Sequence, residues 1–203
     1  MIRFQEKINY WLQKSLGAIS PAPQRESALY TSRKNFRDSA SAARAFIQAR
    51  EKLFNINGWN NIRTLGKTVF TLFEENGKIS KAVKLSVGQY IRISSPGPLP
   101  AVWVMIHEVF EGFNMAEFTV RPAFNPQYGH EPHEHFYTTE ATGIFRVRID
   151  QNTLLASKEG NDDDSLFQRE RHVADSSNLI TLRSAWSYYQ KYRWKHLTNY
   201  LIR

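Results

Sequence analysis

Residues 129–143, GHEPHEHFYTTEATG, gather three histidines and three glutamates in a chain without cysteine. Imidazole nitrogen and carboxylate oxygen are good donors to divalent metals, and three such ligands plus a water make a catalytic zinc site. On an extended backbone alternate side chains share a side, so His133 and His135 fall together and Glu140 follows them. These three are the candidate metal ligands. Alternatively, the stretch is a solvated polar loop. Pro126, Gly129 and Pro132 then interrupt regular structure, and Phe136 and Tyr137 anchor its end to the core; a third reading is a pH-sensitive contact made by the histidines. The polar loop is preferred, so no cofactor is expected.

Other chemistry is thinly represented. No Cys-x-x-Cys, His-Glu-x-x-His or P-loop pattern occurs. Ser94 and Ser95 precede Pro-Gly-Pro without a nucleophile elbow, and no triad can be nominated. His107 lies in an apolar run beside Glu108 and reads as structural. Asp162-Asp163-Asp164 lacks calcium-loop spacing and suits the first turn of a helix.

The last residues carry a different signal. The stretch RSAWSYYQKYRWKHLTNYLIR, residues 183–203, interleaves five Lys/Arg with two Trp and four Tyr and has no acid. Arg183, Lys191, Arg193, Trp194 and Lys195 are therefore the candidate binding residues. Such a surface fits an acidic protein or other acidic partner, and nucleic acid through phosphate contacts and base stacking is a further possibility. The same aromatic spacing also suits a helix face packed on a sheet. Net charge of +8 divides as +6 over residues 1–50, −3 over 51–175 and +5 over 176–203, so the positive excess belongs to the two ends.

The elements that must hold these residues follow from periodicity. Ile8, Trp11, Leu12, Leu16 and Ile19 predict a helix over 3–18, followed by a connector to about 37 in which SALYTS can form a short strand. A second helix begins at Asp38 or Ser39, carries Phe46, Leu53 and Phe54 on one face, and stops near Gly58. From residue 67 the period becomes two. Strands are predicted at 67–73, 82–87, 89–94, 101–110, 117–121, 143–149 and 153–157, with an Asn76-Gly77 hairpin turn after the first. In 101–110, Val102, Val104 and Ile106 alternate with Trp103, Met105 and His107. Helical spacing returns at the C-terminus, where Leu179, Leu182, Trp186 and Tyr189 form one stripe and Trp194, Leu197 and Leu201 another.

Three local patterns carry a resemblance. Gly88-Gln89-Tyr90-Ile91-Arg92-Ile93 leads into Pro96-Gly97-Pro98; Arg121-Pro122 is followed by Asn125-Pro126; and His135-Phe136-Tyr137-Thr138 precedes Glu140-Ala141. Together with Trp194-Lys195-x-Leu197 they are similar to a family of small bacterial proteins with no assigned activity, over roughly residues 60–203. Only His135 belongs to that pattern, which implies that His130 and His133 are local additions. The spacing of His133, His135 and Glu140 is also similar to one motif of the cupin barrels, although no second motif follows.

These features predict one α+β domain over 1–203: two N-terminal helices, a curved antiparallel sheet or small barrel of five to seven strands, and a C-terminal helical segment across it. Residues 1–37 form the N-terminal helix and connector, an appendage to a core over 38–203. Lacking an apolar run or leader, the chain is expected to be cytoplasmic with no transmembrane segment. The leading expectation is a non-enzymatic binding or assembly protein that uses its basic helical ends. The alternative is a small-molecule-binding helix-grip or barrel protein, with a metal-assisted hydrolase at His133, His135 and Glu140 as its catalytic variant.

Overall fold

The computed structural model describes residues 28–62, 68–94, 101–127, 142–160 and 193–203. The helix expected at 3–18, the His-rich loop and the Asp162-Asp163-Asp164 run lie outside them.

A seven-stranded antiparallel sheet dominates: β1 (Ala28–Asn35), β2 (Val69–Phe73), β3 (Tyr90–Ser94), β4 (Val102–Glu111), β5 (Met115–Pro122), β6 (Gly143–Asp150) and β7 (Thr153–Gly160). Their order is β1-β7-β6-β5-β4-β3-β2, so β2 to β7 form a meander and β1 joins its far edge. The connection from β1 to β2 must therefore cross the sheet. It does so as α1 (Ser39–Phe54) and a 3-10 helix (Ile56–Asn61). The α+β class and the curved sheet match expectation, and the SALYTS segment forms part of β1, paired along its full length with β7.

Asp38 caps α1, as predicted. Its carboxylate accepts from Ser41 N at 2.7 Å and Ser41 Oγ at 3.1 Å, and those bonds hold its pKa below the ordinary value. Ala42, Phe46, Ala49 and Leu53 then recur at helical spacing and are buried on the face that meets β6 and β7. The helix stops earlier than Gly58. Asn55 is its C-cap, and the Asn55 side chain accepts from Gly58 N at 2.9 Å, which diverts the chain into the 3-10 helix.

That short helix serves the sheet edge. Asn60 Nδ2 donates to Phe70 O at 2.7 Å while Asn60 Oδ1 accepts from Phe70 N at 2.8 Å, and Asn57 Oδ1 accepts from Leu72 N at 3.2 Å. Two side-chain amides thus stand where an eighth strand would pair, and the exposed rim of β2 is closed.

The turn at Asn76-Gly77 forms as expected. Gly77 adopts φ 74°, and a Cβ there would lie 2.9 Å from Pro126 O. Its return arm, however, is a single bridge between Phe73 and Ile79. Residues 82–87, predicted as a strand, are not one, because only Leu85 is buried while Val83 and Val87 stay exposed on the same phase. Leu85 N instead donates to Phe54 O at 3.0 Å, fastening this loop to the end of α1. In β4 the register against β5 shifts between Ile106 and Glu108, so His107 is the extra residue of a bulge.

Inward positions alternate down each strand. Ala116, Phe118 and Val120 of β5, Phe145 and Val147 of β6, and Leu154 and Ala156 of β7 are buried. Residues 193–201 form α2, whose Trp194, Leu197 and Leu201 are buried as the C-terminal stripe predicted. Ser32 Oγ lies 2.8 Å from both Thr198 Oγ1 and Asn199 Oδ1, joining β1 to α2. The helix expected at 3–18 and the helical stripe of Leu179, Leu182, Trp186 and Tyr189 lie outside the described residues. No helix among the described residues is long and apolar enough to cross a membrane.

Two outcomes are expected. Asn60→Ala should lower unfolding stability in urea by about 1–2 kcal/mol, because it orphans both backbone groups of Phe70, whereas exposed Asn61→Ala should stay within about 0.5 kcal/mol. Glu111 pairs with Arg50 Nε at 3.3 Å and with Lys84 Nζ, and the Lys84 hydrogen bond chiefly holds its pKa below the ordinary value. A depressed folded pKa contributes stability above the unfolded carboxylate pKa of about 4.3, lost as pH falls through the folded value. Glu111→Gln should therefore cost at most about 1 kcal/mol at pH 7 and reduce the loss of stability on acidification below pH 4.

Candidate functional site

The interior is aromatic where the 3-10 helix, sheet and α2 meet. Trp59 contacts Phe70 edge-on at 5.3 Å between centroids and Phe145 at 5.5 Å; Phe145 stacks on Phe118 at 4.9 Å and meets Trp194 at 5.4 Å. Trp59 is fixed at its polar edge, since Nε1 donates to Lys52 O at 2.9 Å near the end of α1. Trp194 is not. Its indole Nε1 is buried and has no hydrogen-bond acceptor among the described residues.

Two cations stand over the Trp194 ring. Lys158 occupies an inward position of β7, in register with Phe145 on β6 and Tyr30 on β1, and is 1% exposed. Its Nζ lies 5.2 Å from the Trp194 ring centroid, and the guanidinium carbon of Arg193, 5% exposed, lies 4.2 Å from it. Full burial of such groups is rare and marks them for scrutiny.

Beside them the packing leaves a cavity of about 40 Å³. Trp59, Phe70, Phe145 and Trp194 supply aromatic wall, while Ile91, Ile93, Val102, Val104 and Val120 supply aliphatic wall. Arg121, Pro122 and Thr142 complete it with Gly143, Lys158 and Arg193. Gly143 makes part of the space. A Cβ there would come to 3.1 Å from Val120 Cγ2 and 3.9 Å from Lys158 Cε. Among the described lining residues there is no carboxylate or imidazole.

Of the candidate binding residues, Arg193 and Trp194 are on this wall, buried. Lys195 points outward and its Nζ donates to Thr31 O, which ties α2 to β1. Arg183, Lys191, His133, His135 and Glu140 lie outside the described residues. Among the described residues no group of three metal-ligating side chains comes together. His107 is half-buried at the β4 bulge, away from the cavity wall.

Sequence reasoning missed Lys158, Arg121, Trp59 and Gly143. Lys158 had a signal: it continues the inward phase of Leu154 and Ala156, so a strand carried past Ser157 puts a charge in the apolar phase. At the opposite flank of α2, Lys52 Nζ lies 5.4 Å from the Tyr200 ring. Burial, and then the neighbouring Lys34 charge, push the Lys52 pKa down, while burial pushes that of Tyr200 up.

The sequence matches no family model and no curated protein. Solved structures with partial likeness include a hypothetical protein from Helicobacter pylori, 10% identical with TM-score 0.47, covering 91% of this chain and 96% of that one. A protein from Arthrobacter aurescens is 11% identical with TM-score 0.40, covering 91% and 92%. Norcoclaurine synthase from Thalictrum flavum, solved with dopamine and hydroxybenzaldehyde, is 9% identical with TM-score 0.36, covering 85% and 94%.

The two tryptophans should respond differently to replacement. Trp59→Phe loses a satisfied hydrogen bond and leaves the Lys52 carbonyl without that donor. Trp194→Phe loses comparable volume but sheds a donor that had no acceptor. In urea unfolding Trp59→Phe is expected to be the more destabilising by roughly 1–2 kcal/mol.

Proposed function

We propose that this protein is a non-catalytic binder of a small, largely apolar molecule, held between the sheet and the helices in a helix-grip arrangement. The cavity of aromatic and aliphatic wall, with a few convergent polar groups, carries this proposal: its chemistry is that of a ligand pocket rather than of a packing flaw. A buried indole N–H without an acceptor costs on the order of 1–3 kcal/mol, and a ligand oxygen beside Trp194 would remove that cost. Burial of Arg193 and Trp194 also supports an inward role for the basic aromatic end over a contact with an acidic macromolecule.

Trp103 supplies an internal control. It packs against Phe73 at 4.8 Å, is not part of the cavity wall, and holds an outward position of β4. On titration with neutral 2-naphthamide, followed by indole ¹H–¹⁵N resonances, the signals of Trp59 and Trp194 should shift while that of Trp103 stays. Shifts confined to Trp103, or none up to the solubility limit, would remove the proposal.

A further inference from the structure

We infer that the outer edge of β1 is a docking site for an extended acidic segment of another protein, which adds to the sheet as an eighth strand beside Arg33, Lys34 and Arg37. The site stands apart from the cavity, since none of these residues lines it. The two edges of the sheet are treated differently. Along β2 the amides of Asn57 and Asn60 occupy backbone groups of Phe70 and Leu72, whereas β1 pairs with β7 alone among the described strands and keeps Leu29, Thr31, Arg33 and Asn35 exposed.

The ladder decides which backbone groups face outward. In an antiparallel pair alternate residues bond to the partner strand, and Phe36 N donates to Asn152 O at 2.8 Å, so Lys34, Ser32 and Tyr30 share that direction. Leu29, Thr31, Arg33 and Asn35 therefore turn their N–H and C=O groups away from β7. Lys195 Nζ donates to Thr31 O from that outer side, so an external donor can reach it. A row of such groups is a template for a further strand.

Charge sets the kind of strand. Residues 28–37 and 193–203 contain no acid, and the bonds from Ser32 to Thr198 and Asn199 bring these two basic segments side by side. Exposed Arg33, Lys34, Arg37 and Lys195 make no ion pair among the described residues. Lys34 is also near enough to Lys52 for its charge to add to burial in lowering the Lys52 pKa. Mutual repulsion of these cations opposes edge-to-edge pairing of two copies of this chain, while carboxylates at alternate positions of an added strand are attracted to them. Nucleic acid would meet the same charges but has no row of amides and carbonyls to match the edge.

The capped peptide TEVEVEVT, its lysine counterpart TKVKVKVT and oligothymidylate serve as probes of the full chain at low salt. The acidic peptide should slow amide hydrogen exchange at Arg33 and Asn35 at least about tenfold and bind at least about tenfold tighter than the lysine peptide. Arg33→Gln combined with Lys34→Gln, both at exposed positions, should weaken it about fivefold. Equal binding of the two peptides, binding of the acidic peptide without protection of those amides, or no binding up to about 5 mM overturns the docking site. Protection of the same amides by oligothymidylate instead of the peptide overturns it in favour of nucleic acid. Each of these outcomes leaves the cavity standing.

Discussion

The position of Trp59 is the constraint on which the interior depends. Its ring meets Phe70 of the edge strand and Phe145 of the sheet centre, and its N–H is held by the Lys52 carbonyl of α1. One side chain thus fixes the crossover to both halves of the sheet it spans. The strand order demands such a fixing point. With β1 and β2 at opposite edges, the segment between them is free to slide across the face unless something locks it. Asn57 and Asn60 complete the lock from the backbone side, since their amides bind β2 in register at Phe70 and Leu72. The same geometry sets the cavity, because the indole that locks the crossover is one of its walls.

Local signals were sufficient for most elements. Asp38 with its run of alanines specified α1, and the period of two marked β2 to β7 to within a few residues, because each is a local pattern that burial on one face enforces. Where the sequence misled, a tertiary contact outweighed the pattern. Residues 82–87 alternate weakly enough that one bond from Leu85 N to Phe54 O, with Leu85 buried, decides their course. Asn55 ended α1 early through its own side chain, which no hydrophobic period reveals. The bulge at His107 belongs to the same class, for it shows only when two strands are laid side by side.

The cavity was harder to foresee, for a physical reason. Its walls come from six strands, the 3-10 helix and α2, so no window of sequence contains more than a few of its residues. Basic and aromatic composition pointed at Arg193 and Trp194 but not at their direction. A helix residue takes its side from its partners, and these two face inward because the adjacent Leu197 and Leu201 are needed in the same core.

Departures from regular packing cluster at one place. On β6 and β7 the inward phase runs through Gly143, Phe145 and Val147 and through Leu154, Ala156, Lys158 and Gly160. Gly143 pairs with Gly160, and Phe145 pairs with Lys158. Two adjacent inward positions therefore lack side chains and a third carries a charge, within a face that is otherwise apolar. Each change weakens a sheet: glycine forfeits packing and conformational restraint, and a buried ammonium is costly to desolvate. A sequence selected for stability alone would place valine or leucine at all three positions and close the space. Under the proposed binding role, these adjoining exceptions, beside an indole whose N–H has no acceptor among the described residues, would be a local cost retained for the ligand.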